Sequence, residues 1–266
     1  MKPEIDYKTI NRESWNNRTD VHFDSDFYDN KSFLEGRNSL NEIELALLGN
    51  VQGKKILHLQ CHFGQDSISL SRMGATVTGV DLSDRGIERA RELAQKAGED
   101  VTFICCDIYD LPQHLEQQFD LVFTSYGVIG WLPDMDRWAG LIKHFLKPTG
   151  RLVMAEFHPV VWMYDDDFTK IKFSYFKDEA IVESEAGTYA DTEAPIEQQY
   201  VCWNHGMSEV VTALLQQGFA LKQLQEFDYS PYNCFNNTVE IAPNKYQIKG
   251  FEGKMPMVYA LELECR

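Results

Sequence analysis

Three short stretches, each at the end of a β-rich run, carry the residues best able to bind a polar ligand: Gln60-Cys61-His62-Phe63-Gly64, Asp81-Leu82-Ser83 and Cys106-Asp107-Ile108. In an open parallel sheet, ligands bind outside the carboxyl ends of the strands, so these turns are where chemistry is expected. Asp81 lies 17 residues beyond Gly64, about where an acidic residue in such sheets accepts both hydroxyl protons of a ribose. The other reading is that Asp81 or Ser83 only caps the next helix. Asp107 offers an acceptor for an exocyclic amine beside the apolar Ile108, or else caps a helix of its own. As a glycine-rich loop the first turn is poor, because only Gly64 remains where three glycines would let a backbone approach a ligand closely.

A second set of residues suits proton transfer. Glu156 and His158, in AEFHPVVWM, follow the fifth β-rich run. His158 is the preferred base because imidazole titrates near neutrality, with a structural histidine beside Pro159 as the alternative. Cys202-x-x-His205 has metal-like spacing but no second ligand pair, so no metal is expected. The six cysteines form no disulfide framework and read as reduced thiols.

The elements that must hold these residues are legible in the hydrophobic pattern. From Lys54 onward the runs KKILHLQ, ATVTGVDL, DVTFICCD, FDLVFTSY and GRLVMAEF alternate with amphipathic stretches, among them Arg85–Ala97 and Met135–Leu146. This alternation predicts a parallel sheet covered on both faces. Before it, Ile5–Arg18 and Leu40–Leu48 read as helices of an N-terminal cap over residues 1–50. After it, Glu156–His205 shows no convincing long periodicity. Then Met207–Gln217 reads as a helix, Phe219–Tyr229 as a strand and Met257–Cys265 as a final strand, closing an antiparallel hairpin at the sheet edge.

Composition narrows the partners. The 266 residues carry a formal charge of −16, which disfavours nucleic acid and anionic membranes. No apolar run approaches the length of a membrane span, and no hydrophobic signal core opens the chain, so a cytoplasmic protein, monomer or homodimer, is expected. Eleven acids against three lysines between Glu156 and Gln199 account for half of the net charge, and eight aromatic residues share that stretch.

The succession KKILHLQCHFGQDS, TVTGVDLS, DIYDLP and QFDLVFTSYGVIGWLPDMDRWAGLIKHFLKPTGRLVM resembles the class I S-adenosylmethionine-dependent methyltransferases over residues 54 to 157, in a bacterial small-molecule branch (methyltransferase type 11/25-like). The resemblance implies an α/β fold: a Rossmann-like seven-stranded, mostly parallel sheet with helices on both faces and an antiparallel C-terminal hairpin. It implies a methyltransferase domain over 51–266 with a lid-like insertion at about 158–206, S-adenosylmethionine as cofactor and a small-molecule acceptor. His58 stands where the family has an acid, and Gln60, His62 and Gly64 stand at its three glycines. Residues implied to bind the cofactor are His58, Gln60, Cys61, Gly64, Asp81, Leu82, Asp107, Ile108, Thr124 and Tyr126. Arg18 or Tyr28, from a leading segment that closes over the cofactor in many members, is placed near its carboxylate; a surface cap packed by Trp15 is the alternative. Tyr28, Trp131, Trp162 and Tyr189 are implied on the acceptor side, where aromatic walls among acids would suit a cationic or amine-bearing acceptor. Two other readings stand beside this one: a non-catalytic protein binding S-adenosylmethionine or S-adenosylhomocysteine, motivated by the degraded glycine loop, and an NAD(P)-dependent oxidoreductase.

Overall fold

The structure, a computed structural model, describes residues 5–266. In chain order it forms α1 (Tyr7–Asp24), α2 (Asn30–Leu34), α3 (Glu42–Leu48), β1 (Lys55–Leu59), α4 (Gln65–Arg72), β2 (Thr76–Asp81), α5 (Asp84–Ala97), β3 (Val101–Cys105), β4 (Phe119–Ser125), α6 (Met135–Phe145) and β5 (Leu146–Phe157). There follow β6 (Ile181–Ala186), β7 (Glu197–Cys202), α7 (Met207–Gln216), β8 (Phe219–Phe227), β9 (Thr238–Ala242), β10 (Lys245–Ile248) and β11 (Val258–Cys265). Seven strands make one mostly parallel sheet in the order β3-β2-β1-β4-β5-β11-β8, as expected for a Rossmann-like fold. β11 runs antiparallel to both β5 and β8, which places the closing hairpin at the edge.

The chain divides into two compact units. The first comprises the described residues up to Leu40 together with Asn50–Phe119 and Ala180–Cys202; the second comprises Asn41–Gly49, Asp120–Glu179 and Trp203–Arg266. The leading 50 residues and the segment 158–206 therefore each contribute to both units.

In the first unit β1, β2 and β3 are parallel and in register, Leu59 beside Val80 and Asp81 beside Cys105, so the three chains leave the sheet at one level. Helix α5 is held at both ends. Ser83 Oγ accepts the Gly86 amide at 2.8 Å, and Gly98 takes the left-handed conformation (φ +71°) that ends a helix cleanly. Between them Ile87, Ala90 and Leu93 are fully buried, in a core with Phe63, Ile68 and Phe103. Each large side chain there contributes roughly 1.5 to 3 kcal/mol by leaving water.

Helix α1 continues past Arg18 to Asp24, because nothing from Thr19 to Phe23 breaks a helix. It lies along β7: the Asn11 side chain donates to Val201 O and accepts from Val201 N, both at 2.8 Å. The β6–β7 hairpin was not visible in the sequence. Its first strand, Ile-Val-Glu-Ser-Glu-Ala, alternates in burial, yet the sheltered and the outward positions both carry polar residues, so the period of two has no hydrophobic signature. The β9–β10 hairpin was missed likewise.

Candidate functional site

The turn after β1 is built by backbone conformation. Gln60, His62 and Gly64 all lie at positive φ, +55°, +52° and +80°, in alternation. That region is easy for glycine and costs an L-residue roughly 1 to 2 kcal/mol, so the turn survives at two positions where glycine does not. At Gly64 no side chain fits, since a Cβ would stand 2.7 and 2.8 Å from the Phe103 ring. The amide of His62 donates to Asp81 Oδ2 at 2.8 Å and that of Ser83 to Asp81 Oδ1 at 2.9 Å. Asp81 therefore ties the β1 turn to the β2 turn, while Ser83 does the capping. Burial pushes the Asp81 carboxyl up, opposed by the amides of Ser83, His62 and Leu82. Leu82 beside it is half-buried.

Other expected cofactor residues sit below this surface. His58 is buried within β1, its Nδ1 2.8 Å from Ser67 Oγ of α4, and burial lowers its pKa to about 4. The Cys61 thiol is buried against Gly79, and burial raises its pKa. Asp107 caps a short 3-10 segment, accepting from Tyr109 N at 2.8 Å, and sits 3.5 Å from Lys8 Nζ; Ile108 is buried beside it. Of the residues expected at the cofactor, His58, Cys61 and Ile108 thus have buried side chains.

Aromatic residues from three separate segments of the first unit surround His62. His22 of α1 places Nδ1 2.9 Å from His62 Nε2, and its ring stacks on Tyr28 at 5.5 Å. The Tyr189 ring lies 4.7 Å from His22, and its hydroxyl is 2.6 Å from that of Tyr28. Trp15 stands edge-on to His62 at 5.2 Å. Burial, with the neighbouring charges, lowers His22 to about 2 and His62 to about 3, so both rings are neutral. His22 Nε2 is fully buried with no hydrogen-bond partner among the described residues. Arg18, 3% exposed, pairs with Glu185 at 2.6 Å and lies 5.3 Å over the rings of Trp15 and Tyr200. Neither His22 nor its pairing with His62 was foreseen, because the two are 40 residues apart and share no motif.

In the second unit the end of β4 is gripped by one carboxylate. Glu156, buried, accepts the amides of Gly127 and Phe157 on one oxygen and those of Val128 (2.8 Å) and Ile129 (3.2 Å) on the other. Burial raises its pKa against those four amides. Its lone pairs are committed, which makes it a strut and not a base. Just before this grip Tyr126 takes φ +27°, a strained conformation for a bulky residue. Its hydroxyl donates to Glu44 Oε2 at 2.7 Å, and Glu44 is fully buried. Trp131 donates its indole N–H to Gly127 O at 2.7 Å, and Thr124 is buried, its hydroxyl without a hydrogen-bond partner among the described residues.

His158, the expected base, has a partner at each ring nitrogen. Its Nδ1 accepts from Val160 N at 3.2 Å, which puts the proton on Nε2, 3.1 Å from Glu226 Oε1. Both nitrogens are occupied, and burial lowers its pKa against the Glu226 charge. Trp162 is 39% exposed beside Phe157 and Phe235. His205 donates or accepts at the Leu132 carbonyl through Nε2, 2.8 Å away; since a carbonyl only accepts, Nε2 carries the proton there. Among the described residues no three His, Cys, Asp or Glu side chains converge as a metal ion would need.

Comparison with known proteins gives these features a context. A family model described as a methyltransferase domain matches residues 50–229. An uncharacterized methyltransferase of Synechocystis is 30% identical over 131 residues, covering 48% of this chain and 59% of the relative. A ubiquinone biosynthesis O-methyltransferase of Idiomarina loihiensis is 29% identical over 120 residues, covering 44% of this chain and 49% of the relative. The chain thus spans about half to three fifths of these curated relatives. The crystal structure of an S-adenosylmethionine-dependent methyltransferase from Mesorhizobium loti superposes with a TM-score of 0.59 at 22% identity, over 87% of this chain and 99% of the other.

Proposed function

The chain belongs to the methyltransferase domain family, and from that membership we propose that it transfers a methyl group from S-adenosylmethionine to a small-molecule acceptor. The observation that carries this reading is the junction of the β1 and β2 turns. Alternating positive φ at Gln60, His62 and Gly64 opens the backbone, and Asp81 is fixed by two amides with accepting capacity left for ribose hydroxyls. The residues fit an adenosyl ligand on those grounds, and the orphaned Nε2 of His22 within a ring of aromatic side chains supplies a polar contact for the polar end of the same ligand.

When bound, the sulfonium supplies an electrophilic methyl carbon, attacked in line by a nucleophile. The protein's own part is mostly placement and exclusion of water, and proximity of this kind is worth up to roughly 7 to 11 kcal/mol of barrier. Asp81 orients, the turn admits the ligand closely, Trp15 and Tyr28 pack on His62, and Tyr189 packs on His22. The neutral state of His22 and His62 suits a cationic ligand, since a protonated ring there would repel it.

Calorimetry on the purified protein tests the reading: S-adenosylmethionine and S-adenosylhomocysteine are each expected to bind one per chain, and Asp81→Ala to weaken both at least tenfold. Absence of heat at millimolar ligand, or binding of NADPH in their place, overturns it.

A further inference from the structure

The methyl-transfer reading, on which this inference rests, leaves the pairing of His22 with His62 in the first unit unexplained. His62 is anchored at both ends. Its amide donates to Asp81 Oδ2 at 2.8 Å, in a turn where its backbone lies at φ +52°, and its ring nitrogen Nε2 stands 2.9 Å from Nδ1 of His22 on α1. A neutral imidazole carries one proton, so one of these facing nitrogens donates and the other accepts. The two outer nitrogens, His62 Nδ1 and His22 Nε2, are then always opposite in character: where one is bare, the other is protonated. His22 is fully buried, and its Nε2 has no hydrogen-bond partner among the described residues. His62 is half-buried, and its Nδ1 makes no hydrogen bond among those residues and is not enclosed by them. The accessible end of the pair is thus on the β1 turn.

The groups around the pair keep it neutral at rest. Arg18, one turn before His22 on α1, pairs with Glu185 of β6; Asp81 of β2 holds the His62 amide; Tyr28 and Tyr189 pack on His22, and Trp15 packs on His62. Burial first, with the Arg18 charge adding to it, holds His22 near 2 and His62 near 3. A ring that refuses a proton while a cation lies beside it, and takes one once that charge is gone, suits a reaction in which a sulfonium becomes a neutral sulfide.

We propose that His62 is the general base of the transfer, taking the acceptor's proton on Nδ1, that His22 is its positioning residue, and that the acceptor's nucleophile is a hydroxyl oxygen. An oxygen nucleophile needs its proton removed, whereas an amine need only arrive neutral and a thiol reacts as the thiolate. The acceptor's O–H bond breaks as its oxygen forms the bond to the methyl carbon, while the S–CH3 electron pair stays on sulfur. The proton goes to Nδ1 of His62, and the proton on its Nε2 is drawn toward Nδ1 of His22, so two rings share the charge. One positive charge is lost at sulfur and one is gained by the imidazole pair, so the step balances. The tautomer this requires is the one in which His62 donates to His22, and His22 then keeps its own proton on Nε2.

Three measurements on the full chain test this. Diethyl pyrocarbonate, which acylates bare imidazole nitrogens, is expected to modify His62 and the exposed His144 in the ligand-free protein and to leave the buried His22 untouched, read by peptide mass. Sinefungin carries an amine where S-adenosylmethionine carries the reactive methyl; it should bind the wild type at least fivefold more tightly than S-adenosylhomocysteine does, because the amine donates toward Nδ1 directly or through one water. His62→Asn, a side chain that accepts a positive φ, is expected to bring that ratio below twofold, and His62→Gly takes its place if it does not fold. With labelled S-adenosylmethionine, at a pH where 4-nitrophenol is ionised and phenol is not, the same variant should lose transfer to phenol at least thirtyfold more than transfer to 4-nitrophenol. If the wild type methylates neither probe, the sinefungin ratio decides. A His62 that stays unmodified while His144 reacts, no sinefungin preference in the wild type, its persistence in the variant, or equal loss with both phenols overturns the proposal and leaves the methyltransferase reading standing. Failure of the wild type to bind S-adenosylhomocysteine overturns the reading itself.

Discussion

At the scale of single residues, two positions carry unusual demands. Gly64 needs both its positive φ and its missing side chain, with Phe103 and Ala90 against the place a Cβ would occupy. Gly64→Ala is expected to cost about 2 to 3 kcal/mol in urea unfolding, from overpacking plus backbone strain. Gln60→Gly, at a neighbouring left-handed position, should change stability by less than about 1 kcal/mol and serves as the control. Glu156 is the other. Glu156→Gln turns one accepting oxygen into a donor that faces amides already donating, and about 2 to 3 kcal/mol of stability should be lost. A loss below about 0.5 kcal/mol in thermal or urea unfolding would show that the grip on residues 127 to 129 is not what holds β4's end.

Helices and strands set which of these residues meet. α1 is joined to the β6–β7 hairpin through Asn11 and Val201 and through Arg18 and Glu185, and the same pairing carries His22 and Tyr189 to the β1 turn. Asn11→Ala leaves both polar groups of the Val201 backbone without their partner, at a cost of about 2 to 3 kcal/mol. Hydrogen exchange should then quicken in residues 7 to 24 and 181 to 202 and stay slow in β1, β2 and β3. Uniform quickening would mean that α1 is part of the sheet's own cooperative unit. Most of the sheet was readable beforehand, because five runs of β-branched and aromatic residues separated by amphipathic helices leave few arrangements. The hairpin was not, since Glu183 and Glu185 hide its alternation.

For the molecule as a whole, burial of neutral imidazoles makes stability depend on pH. His22, His62 and His58 have folded pKa values near 2, near 3 and near 4, below the ordinary 6.5, so the unfolded chain binds more protons than the folded one below pH 6.5. Stability is full above that value and falls as pH drops toward the folded pKa values. Each ring should contribute about 1.4 kcal/mol of loss by pH 5.5, the three together about 4 kcal/mol relative to pH 7.5, measured as the shift in urea midpoint. A flat profile over that interval would show that the three rings are protonated in the fold. The charge of −16 acts at the same scale and in a different way: it disfavours polyanion partners without specifying an acceptor.

The amino-acid sequence by itself determined the seven strands of the main sheet, the acid at the end of β2 and the match to a methyltransferase domain, because periodicity, caps and motif spacing are local properties of the chain. Tertiary structure alone decided that His158 and Glu156 are engaged elsewhere, that His22 meets His62, and that Tyr126 is strained against Glu44, 82 residues away. A hydrogen bond depends on where two atoms finish in space, and spacing along a chain says nothing of that for groups brought together only by packing.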